Sequence, residues 1–214
     1  MESRLFANRE ENMVAEALTH STRFMTRNQL IRLLIGSGLI AKDAKILISS
    51  MAKSGLIEIS VRNVPARTFV NDPQQLKWSN SMVRPRSIDL RSYMSRWMVR
   101  CNEPYRPCMV VRPGKKLLGL LGMELPNEPL PESMLPALRL NEIMILRASV
   151  QSFRWLTIAG WMNFDFDAVC AAALQRSDAI PKPNLVVVLK PVRAVDVQLF
   201  FNFLLESKAT YEVY

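Results

Sequence analysis

The stretch from Thr26 to Val70 constrains this chain more than any other. Thr26 stands where a helix N-cap belongs, and Leu30, Leu33 and Leu34 follow it at helical spacing. Gly36 and Gly38 flank Ser37, ending that helix and supplying a tight turn. A second helix is predicted from about Ala41 to Lys53, closed by Ser54-Gly55. Its residues sort onto two faces. Ala44, Leu47, Ile48 and Met51 point one way, while Lys42, Lys45, Ser49 and Lys53 point the other.

The run Leu56–Val61 is rich in strand formers, and Thr68-Phe69-Val70 is a second short strand. Between them Arg62-Asn63-Val64-Pro65-Ala66-Arg67 reads as a basic turn, so a hairpin with a cationic tip is predicted. Upstream, residues 10–20 form a helix with Met13, Val14, Ala17 and Leu18 on one face. Glu10 and Glu11 sit in its first turn, where the helix dipole favours them.

Helix, glycine turn, cationic helix and hairpin together resemble a winged helix-turn-helix domain over roughly residues 10–72. The resemblance implies that the second helix of the pair enters the DNA major groove, with the wing touching phosphate or the minor groove. The implied contacts are Lys42, Lys45, Ser49 and Lys53 from the helix and Arg62, Asn63 and Arg67 from the wing. The other readings are a helical domain with a merely solvated cationic face, and a winged helix that binds protein.

Charge distribution bears on that choice. Of the net +9, residues 1–80 carry +4, residues 81–116 carry +7 and residues 117–214 carry −2. A polyanion is the natural partner for the N-terminal half. Charge alone fits RNA, a membrane surface or an acidic protein equally well, and the helix-turn-helix pattern selects double-stranded DNA. No apolar run approaches the ~18 residues that span a bilayer. The opening MESRLFANREEN lacks a signal-peptide pattern. A cytoplasmic protein without a membrane partner is expected.

Residues 73–86 read as a linker, followed by a helix capped by Ser87 with Leu90, Met94, Trp97, Met98 and Cys101 on one face. Arg91, Arg96 and Arg100 lie off that stripe. They would track phosphates beside the reading helix, or the apolar stripe would form a two-fold dimer interface, or the helix is simply solvated on its basic side. Residues 103–136 are proline-rich, and Pro113-Gly114 reads as a turn before Lys115 and Lys116. A helix over Met134–Ser149, a strand over Trp155–Trp161, a helix over Phe166–Gln175 and a buried strand over Leu185–Leu189 follow. The stretch from Asp196 to Ser207 is either a strand leading into a helix or one apolar helix.

That order resembles the replication-relaxation family of plasmid mobilisation and replication accessory proteins. The landmarks are LRLNEIMILRASV, FRWLTIAGW, the Ser177-Asp178-Ala179 turn before LVVVL, and LFFNFLLES. The resemblance implies an α+β protein: an N-terminal winged helix-turn-helix (1–72), a linker and basic helix (73–102), and a small α/β domain (103–214). It further implies that the last domain is related to restriction-endonuclease folds, in a DNA-binding accessory protein acting at a plasmid origin. The residues point to a degenerate version of that domain, serving assembly or partner contact in an accessory or regulatory protein, either a homodimer or one that recruits a second protein.

No enzyme, cofactor or metal site is expected. The phosphate-loop and dinucleotide patterns are absent, as is GxSxG. His20 is the only histidine, and Cys101, Cys108 and Cys170 form no CxxC pair; they read as reduced structural thiols, although a Cys101–Cys108 bridge is possible by separation. Asp165 and Asp167 read as helix caps. A Mg²⁺-dependent nuclease is the alternative: Asp178 with Glu206-Ser207-Lys208 satisfies its letters. However, Asn202 and Leu204 occupy the places where its strand would carry acids. A protein–protein adaptor with no DNA role is the third class.

Overall fold

The computed structural model of the protein describes residues 6, 8–20, 23–65, 78–101, 104–124, 131–148, 154–156, 169–177, 180–190, 193–206 and 210–214. The fold is mixed α+β, with two sheets and two hydrophobic cores.

Three helices contribute most of the first core. α1 (Arg9–His20) buries Val14, Ala15, Ala17 and Leu18. The two-residue strand β1 (Met25–Thr26) leads into α2 (Arg27–Gly36), which opens on a capping box between Thr26 and Gln29. The turn after α2 carries Gly38 at φ +109°, a conformation that side-chain-bearing residues avoid. α3 (Ala41–Lys53) packs on α2 and buries Ala44, Ile48 and Met51 in the same core. The two helices expected here, with a glycine turn between them, are present with these boundaries.

The predicted hairpin is not. β2 runs straight through the supposed turn, from Ile57 to Pro65, and its antiparallel partner is β4 (Tyr105–Pro113). Arg62 and Asn63 are therefore mid-strand residues opposite Cys108 and Pro107. Residues 66–70 lie outside the described residues. The sheet order is β1-β4-β2, with β4 central.

A proline-rich segment can be a central strand because of parity. Gly114 N donates to Leu56 O at 2.8 Å, and this pair continues the β2–β4 register, in which Ile57 faces Pro113. In an antiparallel ladder the pairs that exchange both bonds alternate with pairs that exchange none. Glu58, Ser60, Arg62 and Val64 thus bond to β4, and Pro65, Pro107 and Pro113 all occupy non-bonding pairs. On its other side β4 pairs with β1 only at Val110 and Val111, so neither of its prolines interrupts that ladder.

After β4, Gly114 caps the short helix α5 (Lys115–Leu121). α6 (Pro131–Ala148) covers the expected Met134–Ser149 helix. The second sheet has the order β3-β8-β7-β6-β5: Trp78–Ser79, Thr210–Val213, Ile180–Leu189, Cys170–Ser177 and Arg154–Leu156. Only β7 and β8 run parallel. β3 lies in the predicted linker, and β5 is the described part of the predicted Trp155–Trp161 strand. Cys170–Gln175, expected to be helical, is strand instead. Alanine favours helices, but Ala171, Ala172 and Ala173 pair with Val188, Val187 and Val186, and burial beside those valines overrides that preference.

α4 (Ser87–Cys101) matches the predicted basic helix, and α7 (Ala194–Glu206) realises the single-helix reading of the last apolar stretch. Val197, Phe200, Phe201 and Leu204 of α7 are buried, and the Phe201 ring meets Tyr211 of β8 and Trp78 of β3 edge-on. α7 and α4 therefore cover the Tyr211 face of the sheet, and Arg147 of α6 bonds residues on the opposite face. Cys170 is buried, and burial pushes the half-buried Cys108 thiol up. No described helix is long and apolar enough to cross a membrane.

Candidate nucleic-acid interface

α3 presents its four predicted contacts together. At about 100° per residue, Lys42, Lys45, Ser49 and Lys53 fall within an arc of about 80°. All four are exposed. Ile46, 57% exposed, lies about 20° beyond Lys53 on the same helix, so an apolar side chain borders the cationic face. Ser49 Oγ donates to Lys45 O at 2.8 Å, which ties its proton to the helix and leaves the oxygen free to accept. Asp43, in the first turn, is the only acid on α3.

The strand residues divide. Successive side chains of β2 point to opposite faces. Asn63 is exposed on one face, while Arg62 is half-buried on the other and already engaged. Beyond them Val64 is fully buried in the second core opposite Arg106. Arg62 and Asn63, expected in a cationic tip, thus lie within a paired strand. Arg67 lies outside the described residues. Arg91 and Arg96 are exposed on α4, but Leu90, Tyr93 and Met94 of that helix belong to the second core rather than to the core beneath α3. The Arg100 side chain lies outside the described residues.

α2 is held from behind by α6. Gln29 Nε2 donates to Leu138 O (2.8 Å) and Glu142 Oε1 (2.9 Å), and Arg32 pairs with Glu142 at 2.7 Å. Asn141 Nδ2 donates to Phe24 O at 2.8 Å. The helix that orients α3 is therefore anchored to the helix shared with the second sheet.

A second polar cluster was not anticipated. Gln175, Asn184 and Glu212, from three adjacent strands, converge on one face of the second sheet. Arg147 donates to Gln175, Glu212 and Tyr214, and its guanidinium lies 5.4 Å from the Tyr214 ring centre. Asn184 Nδ2 donates to Glu212 at 3.1 Å. Burial pushes the Glu212 carboxyl up, but the Tyr214 hydroxyl and Arg147 outweigh it and hold the group below its ordinary range. Such a network stabilises the sheet and offers no free nucleophile. Its members stand far apart in the sequence, so no local pattern signals it.

Of the residues for the nuclease reading, Asp178, Ser207 and Lys208 lie outside the described residues, as do Asp165 and Asp167. Glu206 is exposed at the end of α7. Among the described residues no group of three or more His, Cys, Asp or Glu is placed to hold a metal. No protein-family model, curated protein or solved structure matches the chain.

Proposed function

We propose that α1, β1, α2, α3, β2 and β4 form a winged helix that binds double-stranded DNA through α3, in an accessory or regulatory protein. The single observation that carries this reading is the exposed face of α3, where Lys42, Lys45, Ser49 and Lys53 stand together on the second helix of a helix-turn-helix pair. The element order and the strand order β1-β4-β2 support it, with β2 and β4 as the two wing strands. On this reading β3 and α4 lie between the two wing strands in the sequence.

The lysines supply phosphate contacts and salt-sensitive affinity, and Ser49 and Asn63 reach base edges or phosphate. Arg91 and Arg96 extend the cationic surface from a separate helix. The second sheet with α4, α6 and α7 serves assembly or partner contact. The test is fluorescence anisotropy of the full chain with a labelled random-sequence duplex. Expected is saturable binding that weakens steeply between about 50 and 200 mM salt. Absence of duplex affinity at low salt removes the proposal.

A further inference from the structure

β2 is an edge strand with nine residues, and its outer side is unpaired among the described residues. The parity set by the Gly114–Leu56 bond turns the backbone N–H and C=O groups of Ile57, Ile59, Val61 and Asn63 outward. Proteins commonly protect such an edge with short strands, charges on the strand or a covering helix. Here the outward-parity residues Ile59 and Val61 are 37% and 63% exposed, and Met109, opposite Val61, is 50% exposed. An open groove of about 670 Å³ is lined by the first residues of this strand, Ile57 to Ser60, together with Ala52, Gly55, Lys115 and Lys116. Both lysines are exposed, and the one acid in the groove, Glu58, is paired with Arg112 at 3.0 Å.

We propose that the outer edge of β2 receives an extended acidic segment of a partner protein as an added strand. Main-chain bonds to Ile57, Ile59 and Val61 hold the segment. Its alternate apolar side chains pack beside Ile59, Val61 and Met109, and its carboxylates meet Lys115 and Lys116. A second copy of the chain is a poorer occupant, because it brings the same two lysines to the same groove. The inference uses none of the α3 residues proposed to contact DNA, so it stands or falls separately from duplex binding.

The experiment uses the full chain and a fluorescein-labelled octapeptide alternating valine and glutamate, with a valine–lysine octapeptide as the control. Expected is saturable anisotropy for the glutamate peptide and at least about tenfold weaker binding of the lysine peptide. In hydrogen-exchange NMR the amides of Ile59 and Val61 become protected when the glutamate peptide binds. Ile59→Pro removes an outward N–H without touching the β2–β4 ladder, and should abolish peptide binding while duplex binding persists. The double variant Lys115→Glu/Lys116→Glu, on two exposed side chains, should invert the preference between the peptides even if Ile59→Pro fails to fold. Equal binding of both peptides, no binding at ~1 mM, or unprotected Ile59 and Val61 amides would overturn the proposal. So would an Ile59-dependent dimer in sedimentation, which would assign the edge to self-pairing.

Discussion

Gln29 is the residue whose loss should cost most for its size. It is 1% exposed, and its side chain makes three bonds: Oε1 accepts from Thr26 N (3.0 Å), and Nε2 donates to Leu138 O (2.8 Å) and Glu142 Oε1 (2.9 Å). In Gln29→Ala the Thr26 Oγ1 cap on the backbone of residue 29 survives, but the buried Thr26 N–H loses its partner. An orphaned buried donor costs about 1–3 kcal/mol and a bond to a carboxylate contributes about 1.5–3 kcal/mol. Glu142 keeps Arg32, which offsets part of the second loss. The expected destabilisation is about 3 kcal/mol, a large share of the ~5–15 kcal/mol that holds a domain folded. Urea titration at fixed slope should report it, with a midpoint in thermal unfolding lower by about 6–12 °C for a chain of this size. Thr26→Ala, which removes only the cap acceptor, should cost about 1 kcal/mol. A double-mutant cycle of Gln29→Ala with Glu142→Ala should show coupling of about 1 kcal/mol between the two helices. A cost below ~1 kcal/mol for Gln29→Ala, or additivity with Glu142→Ala, would refute the view that this side chain locks α2 to α6.

Three further outcomes are expected. Replacing Lys42, Lys45 and Lys53 together by alanine should make the log affinity–log salt plot for duplex DNA shallower by about 2.7, or about 0.9 per lost phosphate contact; an unaltered slope would mean that α3 does not touch the backbone. The Glu212 carboxyl is held below its ordinary value of 4.5, so its contribution to stability is present above that pH and is lost as pH falls through its folded value. Glu212→Gln should therefore flatten the acid limb of urea midpoints measured below about pH 5, and an equally steep limb would deny the link. At Gly114 an added Cβ would lie 2.3 Å from Gly55 O and 2.9 Å from Leu56 C, both backbone atoms. Gly114→Ala should cost about 2–4 kcal/mol by strain, whereas Gly119→Ala, with nothing within 4 Å of its added Cβ, should raise stability by about 0.5–1 kcal/mol; similar thermal midpoints for the two variants would contradict the close approach.

The helices were legible because their signal is local. Leu30, Leu33 and Leu34 behind Thr26, and Leu90 and Met94 behind Ser87, carry spacing and cap within a few residues of one another. The cationic face of α3 was legible for the same reason, since surface periodicity needs no partner. The β2 partner was not, because it begins at Tyr105 and nothing near Arg62-Asn63-Val64-Pro65 announces it. Those four residues have the composition of a turn, and only the register reveals that Pro65 sits where no ladder bond is required. The alanines of β6 failed in the opposite sense: their local preference is real, but Leu185–Leu189 beside them sets the conformation. Lys115 and Lys116 stand in the sequence only as residues after the Pro113-Gly114 turn and acquire meaning from the groove they border.

The two cores are less separable than a linear division of the chain suggests. Strand alternation sends neighbouring residues of β4 to different interiors: Val110 belongs to the second core and Val111 to the first. β2 does the same over its length, with Ile57 in the first core and Val64 in the second. α6 repeats the arrangement, burying Leu138, Leu140 and Ile143 in one core and Met144 and Ile145 in the other. Both elements are therefore shared walls. A rotation of the β2–β4 ribbon or of α6 cannot relieve strain in one core without displacing side chains in the other, because packed interiors tolerate little change in shape. Glu142, which grips α2, and Arg147, which grips Glu212, are little more than one helical turn apart on α6. A change of packing at the second sheet thus has a short, rigid route to the helix that positions α3.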